Sequence, residues 1–151
     1  LYAFFQSNAN EGLYFCEKDT CYWAPGDLHA TVTITICGKQ VDLPRNFGSD
    51  QEVHTHREKK VLHFEYKLLV DLETKTILDN TPLQLGTFFS KANLTFNENC
   101  ILYACNGMLC DGKEAELFML VNGKESSKFE KYAWSDRDNV EIIFEAIESE
   151  S

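Results

Sequence analysis

Histidines are the residues of this chain best suited to chemistry, and there are four of them. His54 and His56 stand at positions i and i+2, so in an extended segment both imidazoles project from the same side. His29 and His63 fall on the polar sides of two strands that alternating apolar residues predict. Neutral imidazole nitrogens bind copper, zinc, nickel or iron, and three or four of them complete a site. The sequence therefore predicts one metal site formed by His29, His54, His56 and His63.

Glu65 follows His63 by two residues and shares its strand face. We expect its carboxylate to accept the far N–H of a bound imidazole and so to set the tautomer of that ligand. Copper is favoured for a site of histidines because it has the highest affinity among the divalent ions of this series, and zinc is the alternative. Solvated surface histidines or a pH-sensing cluster also stay open, since a single His-x-His motif is a weak signal.

Cysteines form the second set of reactive side chains, and their number, six, is even. Zinc fingers and ribbons use short knuckles such as CxxC, which this sequence lacks. Disulfides are therefore favoured over a thiolate metal site, and the pairing stays open. The predicted disulfide cysteines are Cys16, Cys21, Cys37, Cys100, Cys105 and Cys110.

Three features predict an exported protein, either extracellular or periplasmic. Disulfides persist in oxidising compartments. The first residue is Leu1 and not methionine, for which a removed secretory signal is the simplest explanation. Asn93 begins the sequon Asn93-Leu94-Thr95, a candidate site of N-glycosylation.

Composition excludes several classes of partner. The chain has 151 residues and a net charge of −10, which suits one domain and opposes binding to nucleic acids or anionic membranes. No apolar run approaches the roughly 18–20 residues that cross a bilayer, so we expect no membrane span.

The elements that must position these side chains are mostly strands. One helix is predicted from a capping box at Thr81 and Gln84, with Pro82 in the first turn, up to about Asn93. Its apolar stripe comprises Leu85, Phe88 and Phe89. Strands are predicted over residues 30–36, 41–43, 61–66, 101–104, 117–121 and 140–144, and residues 68–70 are expected to extend the third of these.

This order predicts an α+β fold, mostly antiparallel sheet with one short helix and β-grasp-like, with a β-sandwich as the alternative. Residues 27–146 form the single β-rich domain, between an aromatic N-terminal arm at 1–26 and an acidic tail at 147–151. The arm either packs on its own domain or is donated as a strand to a neighbouring subunit.

Several motifs, in order, resemble those of a poorly characterised family of archaeal and bacterial exported proteins. The family carries HxHA, IPxNIG, HTHDxxGxIHxE, LGxFF and VNGK motifs, and the resemblance covers roughly residues 26–145. The matching segments are His29-Ala30, Pro44-x-Asn46-x-Gly48, His54-Thr55-His56, His63-Phe64-Glu65, Leu85-Gly86-x-Phe88-Phe89 and Val121-Asn122-Gly123-Lys124. The resemblance implies that the four histidines and Glu65 are motif residues. Arg57 stands where the family has Asp, and Leu28 where a further His is expected.

No set of residues completes a catalytic site, because the sequence lacks HExxH and GxSxG motifs and its cysteines are clustered. We therefore expect a protein that is not an enzyme, an exported and disulfide-linked domain that holds copper or zinc. The alternative is a structural subunit of an extracellular filament or surface layer that assembles through residues 1–15, with the metal in a structural role.

Overall fold

The structure is a computed structural model that describes residues 2–5 and 12–147. Residues 1 and 6–11 of the predicted arm and residues 148–151 of the predicted acidic tail lie outside the described part. Neither α1 nor the two 3-10 turns is long and apolar enough to cross a membrane, within the described ranges. The strands are β1 (Tyr2–Phe5), β2 (Leu13–Glu17), β3 (Thr20–Ala24), β4 (Leu28–Ile36), β5 (Lys39–Val41), β6 (Val61–Phe64), β7 (Leu68–Asp71), β8 (Thr76–Ile77), β9 (Cys100–Ile101), β10 (Ala104–Cys105), β11 (Leu109–Cys110), β12 (Lys113–Val121), β13 (Lys124–Ser126) and β14 (Asn139–Ala146); α1 is Leu85–Lys91, and 3-10 turns span Thr81–Leu83 and Phe129–Lys131.

The larger sheet is built around a parallel pair, β4 and β14, and all its other pairings are antiparallel. Its order is β11-β12-β14-β4-β5, with β13 on β12 and β6 on β4. The prediction of an α+β fold, mostly antiparallel with one short helix, is confirmed. Strands β5 and β6 share one edge of β4, and β6 is the strand that carries His63.

Strand β4 follows the alternation of its sequence. Ala30, Val32, Ile34 and Ile36 are buried in the core, while the residues between them face outwards. The turn to β5 has positive φ at Cys37 and Gly38, as a two-residue type I′ hairpin turn requires.

Helix α1 buries its predicted stripe, Leu85, Phe88 and Phe89, against the same core. The predicted capping box is wrong, because neither Thr81 nor Gln84 makes a side-chain cap. The chain first makes the 3-10 turn, and Gln84 then adopts an extended conformation that bridges to Ala133. Because this bridge holds Gln84 in an extended conformation, the α-helix begins only at Leu85.

A second, antiparallel sheet has the order β1-β2-β3-β7-β8, so the predicted arm supplies three of its strands. The expectation that residues 68–70 extend the preceding strand is wrong. Strand β6 ends at Phe64, opposite Leu28, the first residue of β4, and β7 begins at Leu68, opposite Trp23 of β3. The β3–β4 and β6–β7 connections therefore run side by side, in opposite directions, where the chain passes between the two sheets. Glu65 lies in the β6–β7 connection.

All six cysteines form disulfides, as predicted, with the pairs Cys16–Cys21, Cys37–Cys110 and Cys100–Cys105. The single strand predicted over residues 101–104 is wrong. Leu102 has a positive φ, and the chain turns back there as the hairpin of β9 and β10. The Cys100–Cys105 disulfide links directly opposed residues of this hairpin.

Candidate metal centre

Three histidines lie in a row across neighbouring extended segments. His29 of β4 is directly opposite His63 of β6, and His54 bridges to His63 from the other side. Two backbone hydrogen bonds of 2.9 and 2.8 Å join His54 to His63. Directly opposed residues share a sheet face, so the imidazoles line up. His56 lies two residues beyond His54, and its ring stacks on that of His63 with centroids 4.0 Å apart.

Three ligand atoms converge beside this row. The Nε2 atoms of His54 and His56 are 3.0 Å apart, and Oε1 of Glu65 lies 3.2 and 3.4 Å from them. With metal–ligand bonds of about 2.0–2.1 Å, ligand atoms are about 2.8–3.4 Å apart in square-planar or tetrahedral sites. The three atoms therefore fit around one ion. Glu65 sits among the ligand nitrogens, which differs from the expected position behind a bound imidazole.

A backbone carbonyl takes the orienting role that was expected of Glu65. Nδ1 of His54 lies 2.8 Å from the carbonyl oxygen of Glu52, and a carbonyl can only accept, so Nδ1–H is the donor. The Nε2 lone pair is then left facing the other ligand atoms. His54 is only 3% exposed, so this tautomer is held inside the protein.

Hydrogen bonds from the segment after β5 hold the His54-Thr55-His56 segment in place. The buried hydroxyl of Thr55 donates to the Pro44 carbonyl at 2.6 Å and accepts the Phe47 N–H at 3.0 Å. The N–H of Asn46 donates to the carbonyl of His56 at 2.9 Å. Thr55 points away from the histidines, so its bonds fix the backbone without occupying the ligand side.

Gly48 and Glu52 complete this support. Gly48 has φ +96°, and a Cβ there would lie 2.9 Å from Cβ of His54 and from the carbonyl oxygen of Val53. The Glu52 carboxylate forms an ion pair with Lys91 of α1, and this hydrogen bond holds the pKa of Glu52 below its usual value. The helix thus anchors the turn that precedes His54.

His63 is more enclosed than a polar strand face predicts. Its side chain is 9% exposed, because His56 and the segment before β6 cover it. Nδ1 lies 3.4 Å from Oδ1 of Asp27, and Nε2 lies 3.8 Å from Oε1 of Glu58. Nε2 is buried and has no hydrogen-bond partner among the described residues. The expectation that His63 lies on an exposed polar side of its strand is therefore wrong, and His54 is buried as well.

His29 does not join the ligand cluster. Its side chain is 47% exposed, and its Nδ1 lies 3.5 Å from Oδ1 of Asp136. The described residues bring His and acidic side chains together in three groups that could hold an ion, and none of the groups includes His29. These groups are His54, His56 and Glu65; His56, Glu58 and His63; and Asp27, His63 and Glu65.

Asp27 and Glu58 are the two residues of the cluster that were not predicted. Continuing the β4–β6 ladder by one residue beyond Leu28 places Asp27 beside Glu65, which could have identified it. Glu58 continues the i, i+2 spacing of His54 and His56. Strand register could therefore have identified Asp27, and sequence spacing could have identified Glu58.

Asn93 is exposed and follows the end of α1 with a positive φ. Its glycosylation stays a prediction.

The chain matches no model of a known protein family, no curated protein and no solved structure in the three comparisons made. Its function is therefore inferred from the chemistry of the cluster.

Proposed function

We propose that this protein is an exported domain that binds a divalent transition-metal ion through His54, His56 and Glu65. The observation that carries the proposal is the convergence of Nε2, Nε2 and Oε1 at 3.0, 3.2 and 3.4 Å. Copper is the favoured ion because it has the highest affinity for nitrogen and oxygen ligands in the divalent series. Zinc is the alternative, since it also accepts two imidazoles and a carboxylate.

The site supports reversible holding of the ion. His54 is buried, whereas the side chains of His56 and Glu65 are 45% and 37% exposed. One side of the ligand set thus opens to solvent and offers an entry path. Structural zinc sites are closed, while sites with an open position exchange ligands. We therefore favour a protein that takes up and releases the ion.

The three disulfides support export to an oxidising compartment. The resemblance to the exported archaeal and bacterial family belongs to the same proposal. In this chain the matching residues Pro44, Asn46 and Gly48 lie beside the His54-Thr55-His56 segment and help to position it.

A β-grasp-like arrangement is part of the proposal as well. The chain runs from the hairpin of β4 and β5 through α1 to β12 and β14. The order β5-β4-β14-β12, with its parallel central pair, supports this assignment.

The second candidate function is a subunit of an extracellular filament or surface layer. Strand β1 favours it, because this four-residue strand lies at the sheet edge and pairs only with β2 among the described strands. An edge strand of this kind can be donated to a neighbouring copy. Removal of residues 1–5 should then abolish filaments seen by electron microscopy of native material. Material without filaments would exclude this function.

The metal proposal is tested by metal analysis and by titration of the metal-free protein with CuCl2. We expect His54→Ala to weaken the tightest copper site by about 100-fold or more, since loss even of an outer partner costs about 10–100-fold. His29→Ala is the matched control, because His29 lies outside all three groups, and it should bind as the wild type does. Absence of copper binding, or equal binding by His54→Ala and wild type, would refute the proposal.

A further inference from the structure

We infer that His63 and Glu58 hold a second divalent transition-metal ion beside the first, so that the cluster is a two-metal centre. This inference rests on the proposed function for the neighbouring ion. It assigns a role to His63, which the ligand set of His54, His56 and Glu65 leaves unused.

The buried Nε2 of His63 is the main observation. Nδ1–H of His63 can donate to Asp27 at 3.4 Å, which leaves the Nε2 lone pair directed towards Glu58. The Nε2–Oε1 distance of 3.8 Å is too long for a hydrogen bond. It is shorter than twice a metal–ligand bond of about 2.1 Å, so one ion can contact both atoms. Asp27 then orients the ligand imidazole.

The stacking of His56 on His63 separates the two ions. Their ring planes differ by only 13°, and the centroids are 4.0 Å apart. An imidazole binds a metal close to its own ring plane, and nearly parallel planes do not meet at a shared ion. Two ions, one in each plane, would be separated by at least roughly the ring spacing, which is close to the roughly 3.5–4 Å of known two-metal sites.

Glu65 belongs to the group with His54 and His56 and also to the group with Asp27 and His63. Its carboxylate therefore lies close to the first ion and to the Asp27 carboxylate that orients His63.

Charge favours a second cation. The cluster contains three carboxylates, those of Asp27, Glu58 and Glu65, and three imidazoles, which bind a metal in their neutral form. A single divalent ion leaves one negative charge uncompensated. Among the nearby cations, Lys59 and Lys60 contact Asp42 and Gln40 instead, and Arg57 is exposed.

The test is titration of the metal-free protein with CuCl2, followed by desalting, copper analysis and EPR. We expect two copper ions per chain, and an EPR intensity per copper that falls when the second ion binds because adjacent Cu(II) spins couple. Glu58→Gln should retain one ion with full intensity. The Glu58 side chain is 55% exposed, so this variant should keep the wild-type melting temperature. Asp42→Asn removes a nearby carboxylate outside the cluster and should retain two ions.

The outcomes separate the two proposals. One ion per chain that His54→Ala removes would overturn the second site and leave the proposed function intact. No bound copper would overturn both. Two ions in both the wild type and Glu58→Gln would place the second ion elsewhere and overturn this inference.

Discussion

Glu52 links helix α1 to the imidazole of His54. Its carbonyl oxygen accepts Nδ1–H of His54 at 2.8 Å, while its carboxylate pairs with Lys91 of the helix. The backbone group sets the tautomer of a ligand, and the side chain holds that backbone in place. The helix therefore helps to position a proposed metal ligand without contributing a side chain to the cluster.

Loss of the helix anchor should weaken metal binding from a distance. We expect Lys91→Met to lower copper affinity by a few-fold, and by less than about tenfold, because it loosens only the support of His54. Stability should fall by no more than about 1 kcal/mol, since the pair is partly exposed. Lys59→Met removes a comparable pair with Asp42 and is the control for calorimetric titration. Equal affinities in the two variants would contradict the coupling.

A methyl group at Gly48 should destabilise the turn that carries His54. We expect Gly48→Ala to lower the free energy of unfolding by about 1–3 kcal/mol, through backbone strain and contact with His54 and Val53. Gly26→Ala is a matched control, because Gly26 has a similar φ of +93° and open space at its Cβ position. Urea denaturation compares the two variants, and a larger loss in Gly26→Ala would show that the contact is unimportant.

The Cys37–Cys110 disulfide should stabilise the fold more than Cys16–Cys21 does. The paired cysteines are 73 residues apart in the first and 5 apart in the second. The chain-entropy model then gives about 4 and about 2 kcal/mol, because a longer loop loses more freedom in the unfolded state. Replacing each pair by alanine and measuring unfolding by denaturant tests the order. The reverse order would show that native contacts outweigh loop length.

The contribution of Tyr132 to the stability of the fold should decrease at alkaline pH. Its hydroxyl donates to buried Asp138 at 2.5 Å, and burial together with this carboxylate raises the pKa of Tyr132. In the unfolded chain a tyrosine ionises near pH 10, whereas folded Tyr132 keeps its proton. Its contribution is therefore complete below about pH 10 and is lost as the pH rises further.

Tyr132→Phe should thus cost about 1.5–3 kcal/mol at neutral pH, and the difference from wild type should shrink above about pH 10. Unfolding measured between about pH 7 and 11 tests this sign. The exposed Tyr103 provides the control variant Tyr103→Phe, which should show no such trend. A difference in stability that is constant across this pH range would show that the protonated hydroxyl of Tyr132 does not stabilise the fold in this way.

Local features of the fold were readable in the sequence. The alternation of β4 and the stripe of α1 appear in the structure where they were expected. The apolar side chains alternate or recur at helical spacing because one face of each element is buried. That periodicity is set by residues within a few positions of each other.

Only part of the site could be predicted from the sequence. The spacing of His54 and His56 places both imidazoles on one side, which is a property of the extended chain itself. The positions of Asp27 and Glu65 depend on where two segments cross from one sheet to the other. No local pattern encodes that crossing.

The sequence by itself thus determined the residue types: six cysteines for disulfides, histidines with ligand spacing, and strands with one buried face. Only the tertiary structure decided which cysteines pair, that β4 lies parallel to β14, and that His29 lies outside the cluster. The physical reason is the range of the interactions. Periodicity comes from neighbours in the chain, whereas pairing and convergence of ligands come from contacts between residues that are far apart in sequence.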